Sequence, residues 1–189
     1  MICFIISIII LTTVLGFYNL DLKHRLLLHP YAVIKRQQYY RLLTAGLIHV
    51  SWIHLLFNVI VIYVVGSEVE KKYVLESFHG HVEIIGLFFC CIAGGNLLST
   101  ILNRSNFSFT SCGASPGALG LFICLLLHDP HGVLIQLPVI RVQNFEWMIY
   151  FIVVFTINFA VKRLKQIDNA AHLGGVMAAF LFTYLLMLP

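Results

Sequence analysis

Asn169-Ala-Ala-His172-Leu-Gly174-Gly175-Val-Met-Ala-Ala179-Phe-Leu-Phe-Thr-Tyr-Leu-Leu-Met-Leu188 runs for twenty residues without one Asp, Glu, Lys or Arg. About 20 apolar residues are what a helix needs to cross a bilayer core about 30 Å thick, so this stretch reads as a membrane span. Working back towards the N-terminus, five more uncharged stretches appear: Ile2–Leu20, a span within Leu42–Ser67 that begins near Trp52, Ile84–Asn103, a span within Ser105–His128, and the short Trp147–Val161, extended backwards into its loop. The expected fold is therefore an all-α membrane protein, a bundle of six transmembrane helices. The composition agrees: 60% of residues are hydrophobic and 11% charged, against about 25% charged in a soluble domain.

The connections are unequal. Asp21–Arg41 alternates basic residues with Leu, Tyr and Ile; it is too apolar for a free loop and too charged to span. It is expected to lie in the interface as short amphipathic helices. Segments 67–83 and 128–146 read as polar loops, and 162–168 as a short basic turn. The first 20 residues have no basic n-region or small-x-small site and read as a retained span rather than a cleaved signal. The chain has 189 residues and no repeat, low-complexity tract or soluble domain, so a single domain over 1–189 is expected. Five cysteines in mostly apolar settings suggest neither a disulfide framework nor a metal site. The net charge of +4 is spread without a long basic run, which fits anionic lipid rather than nucleic acid.

Polar groups at membrane depth are costly and are usually paired or functional. His49 and His54 precede or open the second span, Asn58 follows one turn later, Ser115 opens the fourth between Gly113 and Gly117, and His172 lies one turn into the sixth. Because successive spans alternate direction, the second, fourth and sixth all start on one side, so these groups can meet at one depth. A serine hydroxyl is a poor nucleophile until a base takes its proton, and His172 is the histidine set deep in an apolar span. The resulting oxyanion needs donors aimed at it beforehand. His54 and Asn58, four residues apart on one helix face, can donate, as can the Ser115 backbone N–H at its helix start. Pro116 suits a first helical turn. Gly113, Gly117 and Gly120 on one span, with Ala170, Ala171, Gly174, Gly175, Ala178 and Ala179 on the other, would let the Ser115 and His172 helices approach closely. No H-E-x-x-H occurs and no carboxylate neighbours His49 or His54, so no metal or cofactor is expected. His49, Arg41 and Glu70 read as structural, ordering the long first connection. Cys112 reads as an inert loop thiol, and the remaining histidines as solvated.

These residues resemble the rhomboid family. His49-Val-Ser-Trp-Ile-His54-Leu-Leu-Phe-Asn58 matches its H-x4-H-x3-N signature, Gly113-Ala114-Ser115 its nucleophile motif, and Asn169-Ala170-Ala171-His172-Leu173-Gly174 its base motif. Tyr40-Arg41 resembles its Trp-Arg pair, and Gly66-x3-Glu70 its Gly-x3-Glu. The resemblance implies an intramembrane serine endopeptidase working through a Ser115–His172 dyad without a third carboxylate, with His54 and Asn58 in the oxyanion hole. Its substrates would be membrane-spanning helices cut near one end. It also implies a compact, multi-pass protein of the bacterial inner membrane. Pro116 stands where the family usually has Gly, and Leu119 where it often has an aromatic that stacks on the base. A catalytically silent relative that binds transmembrane helices is the alternative reading.

Orientation draws on opposing arguments. Loops after spans one, three and five hold nine Lys and Arg, against three after spans two and four, which places the Ser115 side in the cytoplasm. The resemblance implies the opposite face, and the interfacial character of the first loop favours it.

Overall fold

The computed structural model describes residues 1–76, 80–136, 141–147, 149, 150, 153 and 168–187. The described chain is mostly helical: α1 (Ile2–Tyr18), α2 (Leu20–Leu26), α3 (Pro30–Lys35), α4 (Arg41–Thr44), α5 (Trp52–Glu76), α6 (Gly80–Asn103), α7 (Ser115–His128) and α8 (Asn169–Phe182), which continues as a π turn over Thr183–Met187. A 3-10 turn, Ala45–Leu47, leads out of α4. Among the described residues, two helices are long and apolar enough to cross a bilayer, over Trp52–Lys72 and Gly80–Asn103. Ile2–Tyr18, Ser115–His128 and Asn169–Leu185 are apolar but shorter. The expected fifth span, Trp147–Val161, falls mostly outside the described residues, as does the basic turn at 162–168 apart from Asp168.

One element departs from the all-α expectation. Val133–Gln136 (β1) and Arg141–Gln143 (β2) pair antiparallel, Gln136 opposite Arg141. The polar character of segment 128–146 suggests a loop, but Val133, Leu134, Ile135 and Val142 are apolar and largely β-branched, which suits a pleated surface.

Packing centres on α7. Pro116, Gly117, Ala118 and every residue from Gly120 to Leu126 are buried in it, walled by α5, α6 and α8. At about 1.5 Å per residue this 14-residue helix is about 21 Å long, shorter than α5 and α6 beside it. The helix α1 lays Ile2, Ile5, Ile6 and Ile9 into the same core. Outward faces are apolar: Leu11 on α1, Ile53, Leu56 and Phe57 on α5, and Met177 and Leu181 on α8 are all exposed. Apolar surface on this scale is a liability in water and the normal condition in lipid.

The first connection is built from α2, α3 and α4, as the mixed composition suggested. Asn19 caps α2 by accepting from the Leu22 N–H. His29 caps α3 through the Ala32 N–H, with Pro30 in its first turn. Arg41, buried although charged, donates Nη1 to the carbonyls of His24 (2.8 Å) and Leu27 (2.6 Å) and Nε to Gln38 (2.7 Å). Asn96 of α6 donates to the Leu42 carbonyl at 2.8 Å, tying the connection to the bundle.

The glycine-mediated contacts follow the expectation in part. Gly117 and Gly120 of α7 back first onto Phe88 and Cys91 of α6, and Gly120 also faces Ala179 of α8, whose Cβ lies 3.9 Å from where its own would be. On α8 the small residues divide: Gly174 meets Gly94 and Gly95 of α6, while Gly175 makes room for Pro116 of α7. Three helices meet here, so each small residue serves whichever backbone its own rotation presents.

Candidate active site

The α7 start and the first turn of α8 come together. Ser115 Oγ and His172 Nε2 are 2.7 Å apart across two helices. The approach depends on Gly175, where a Cβ would lie 2.8 Å from that of Pro116. Beside the pair lies a cavity of about 80 Å³ whose walls include Phe57 and Asn58 of α5, Leu119 and Phe122 of α7, and both Ser115 and His172. Leu119, at the position where the resemblance implies a stacking aromatic, thus forms part of the cavity wall.

The loop before Ser115 is held in a conformation that selects its sequence. Gly113 has φ +133°, a region that L side chains rarely adopt, and a Cβ there would lie 2.7 Å from Cε1 of His54. The Gly113 N–H donates to the Ala45 carbonyl at 2.9 Å. The Ala114 N–H donates to Nε2 of His49 at 3.2 Å. Since a backbone amide can only donate, Nε2 is bare and Nδ1 carries the proton. Nδ1 then donates to Thr13 Oγ1 (3.1 Å), whose hydroxyl donates to the Leu47 carbonyl (3.3 Å). Burial, with the nearby charge of His54 second, holds the His49 imidazole down to about 3, so it stays neutral. His49 thus ties the serine loop to Thr13 of α1, rather than holding the first connection as expected.

His54 approaches the same loop at Gly113, its ring 4.8 Å from that of His49 in an edge-on contact. Asn58 is buried and lines the cavity, with Nδ2 donating to the His54 carbonyl at 3.0 Å. An amide nitrogen has two protons, so one remains for an oxyanion. Glu70 is not with this group. Twelve residues beyond Asn58, about 18 Å along α5, it binds the Met1 ammonium and accepts from the Ile2 N–H at 3.3 Å. Its support goes to the start of α1 rather than to the first connection, because α5 carries it to the other end of the bundle. Cys112 is half-buried in the serine loop, and burial pushes its thiol up to about 11 against the opposing pull of Lys23, which leaves it protonated and unreactive.

Several supporting residues escaped the sequence reading. Asn96, Ser99 and Asn103 recur at helical spacing on α6, and Asp168 directly precedes α8. Asp168 accepts from the Ala171 N–H at 3.0 Å and from the Ser99 hydroxyl at 2.6 Å. The signals were present: a polar stripe at i, i+3 and i+7 within an apolar span, and an Asp before an apolar run.

A helical bundle with a serine and a histidine in hydrogen-bond contact between two of its apolar helices is the class this site defines. Residues 36–189 match the Rhomboid domain family, and the chain belongs to that family, whose members are membrane-embedded. It is similar to RHOMBOID-like protein 1 of Arabidopsis thaliana, 29% identical over 174 residues, covering 92% of this chain and 41% of that protein. It also resembles Rhomboid-like protease 1 of Toxoplasma gondii, 28% identical, with 78% and 47% covered. A third relative is Inactive rhomboid-related protein 2 of Caenorhabditis elegans, 28% identical, with 78% and 40% covered. The chain therefore spans about half or less of the length of the curated relatives it matches.

Proposed function

We propose that this domain is an intramembrane serine endopeptidase that cleaves transmembrane segments. The observation that carries the reading is the 2.7 Å contact between Ser115 Oγ and His172 Nε2. Ser115 attacks the scissile carbonyl and His172 takes its proton, then returns it to the leaving amine, after which water hydrolyses the acyl-enzyme. Asn58, His54 and the Ser115 N–H stabilise the oxyanion. The substrate helix unwinds locally to present its carbonyl, so small or helix-breaking residues near the cut lower the cost. Residues 1–189 act as one domain with six spans, and the Ser115 end faces away from the cytoplasm. The relatives named above are eukaryotic, so they favour no bacterial inner membrane, and the reading extends to an integral membrane without choosing among compartments.

The test is cleavage of a model transmembrane substrate by purified protein in lipid. Ser115→Ala and His172→Ala should each abolish cleavage while retaining a native unfolding profile; cleavage by either variant defeats the reading. A fluorophosphonate probe should label the wild type at Ser115 and leave Ser115→Ala unlabelled. The relative whose name calls it inactive gives the alternative, a silent binder of transmembrane helices. A folded wild type that binds such helices but resists the probe would establish it.

A further inference from the structure

We infer that Asp168 is a positioning residue for His172, fixing the register and rotation of α8 through Ser99 of α6. This rests on Ser115 and His172 being the reacting pair. The contact between α6 and α8 runs through Gly94, Gly95 and Gly174, where a Cβ on Gly174 would lie 2.7 Å from the Gly94 carbonyl oxygen and 2.9 Å from the Gly95 Cα. Backbone on backbone brings two helices close, and side chains flank the contact: Leu98 Cβ lies 2.8 Å from that same position, and Ala178 Cβ 2.8 Å from where a Cβ on Gly94 would be. His172 lies on the same helix as Gly174 and must meet Ser115 on a third, so the register and rotation of α8 against α6 decide whether the ring reaches the hydroxyl.

Asp168 makes the required connections. One carboxylate oxygen accepts from the Ala171 N–H and closes the first turn of α8; the other accepts from Ser99 at 2.6 Å. Its own carbonyl accepts the His172 N–H at 3.1 Å. Ser99 is fully buried, so its hydroxyl needs this partner. The residue before the base motif thereby ties the backbone of the base to a fixed point on α6. The role is geometric. Asparagine in its place would still accept from Ala171, and its amide could donate to the Ser99 oxygen, preserving both links without the charge.

Two readouts test this on the purified chain in detergent. The first is the rate at which a fluorophosphonate labels Ser115, per folded molecule and well below the unfolding temperature, where a residue that only stabilised the helix would not matter. Asp168→Ala should slow labelling by roughly tenfold to a hundredfold, the loss that a misplacement of about 1 Å can cause, and Ser99→Ala by a smaller factor. Asp168→Asn should recover most of the rate. Peptide cleavage should lose kcat with KM little changed. The second readout is ¹⁵N NMR of the His172 ring, which does not depend on turnover. The shift produced by Ser115→Ala, which removes the hydroxyl partner, should also appear in Asp168→Ala and be absent in Asp168→Asn. Wild-type labelling and an unaltered ring signal in Asp168→Ala overturn the inference, as does an Asp168→Asn variant no better than Asp168→Ala. If Asp168→Ala does not fold, wild-type labelling in Ser99→Ala overturns it instead. A wild type that neither cuts nor labels sinks the protease reading, whereas the NMR arm still decides whether Asp168 positions the ring.

Discussion

Gly113 and His49 do for the serine loop what the reacting residues cannot do for themselves. Gly113 combines a positive φ with contact against the His54 ring. Substituting alanine adds backbone strain of about 1–3 kcal/mol together with a steric collision. Gly113→Ala should therefore lose at least about tenfold in cleavage, since about 1.4 kcal/mol is a factor of ten, and kinetics on the model substrate will measure it. His49 is neutral in the fold, while an unfolded histidine titrates near 6.5. From pH 6.5 down to about 3 the unfolded chain takes up a proton that the folded chain does not, so acidification favours unfolding. This one group contributes up to about 1.4 kcal/mol per pH unit in that window. His49→Gln, which can still accept from Ala114 and donate to Thr13, should show a shallower fall in unfolding temperature between pH 6.5 and 4 in detergent.

The helices of the first connection depend on Arg41 more than on their own propensity. Helices of four to seven residues do not persist alone, and α2, α3 and α4 are of that length. Arg41 collects two carbonyls from the end of α2, and Thr44 adds the Leu26 carbonyl at 3.0 Å. Arg41→Ala leaves buried acceptors unpaired at about 1–3 kcal/mol each. It should lower the unfolding temperature clearly, and Arg41→Lys should recover little, because one ammonium cannot reproduce the planar fork. Thermal unfolding of the two variants side by side checks both statements. The same bonds bear on the charge count across the membrane: Arg41 is committed to the protein interior and contributes little to a topological signal read from free loops.

Across the bundle, the serine loop and the starts of α5 and α8 share one end, while Glu70, His81 and the Lys72–Asp129 pair occupy the other. The proposed orientation puts the first end outside the cytoplasm. Asn106 is exposed in the loop between α6 and α7, and Lys71 is exposed near the far end of α5. With the exposed Cys3 and Cys90 replaced, a membrane-impermeant maleimide applied to intact cells should label Asn106→Cys and spare Lys71→Cys. The reverse pattern would place the site in the cytoplasm. Asn106 also lies in an Asn-Phe-Ser sequon, so a glycan there in a secretory-pathway host would report the same side.

Much of this was readable from residue order because lipid is an unforgiving solvent. An uncharged twenty-residue run ending at Leu188 has few uses outside a bilayer, and the few polar residues inside such runs must be paired or reactive. Direction-counting then set Ser115, His172, His54 and Asn58 at one depth before any coordinates. Other features depend on how several helices rotate against each other, which no single helix encodes. Gly117 and Gly120 turn to α6 because Phe88 and Cys91 fill the space opposite them. Glu70 serves α1 because α5 carries it past the site. Val133–Gln136 is β because it finds a pairing partner in Arg141–Gln143. Asp168 reads as an ordinary cap until Ser99, 69 residues earlier, is found against it. Depth along a span follows from local polarity and count, whereas the facing of each side chain is set by the close-packed contacts of its neighbours, and these exist only in the assembled bundle.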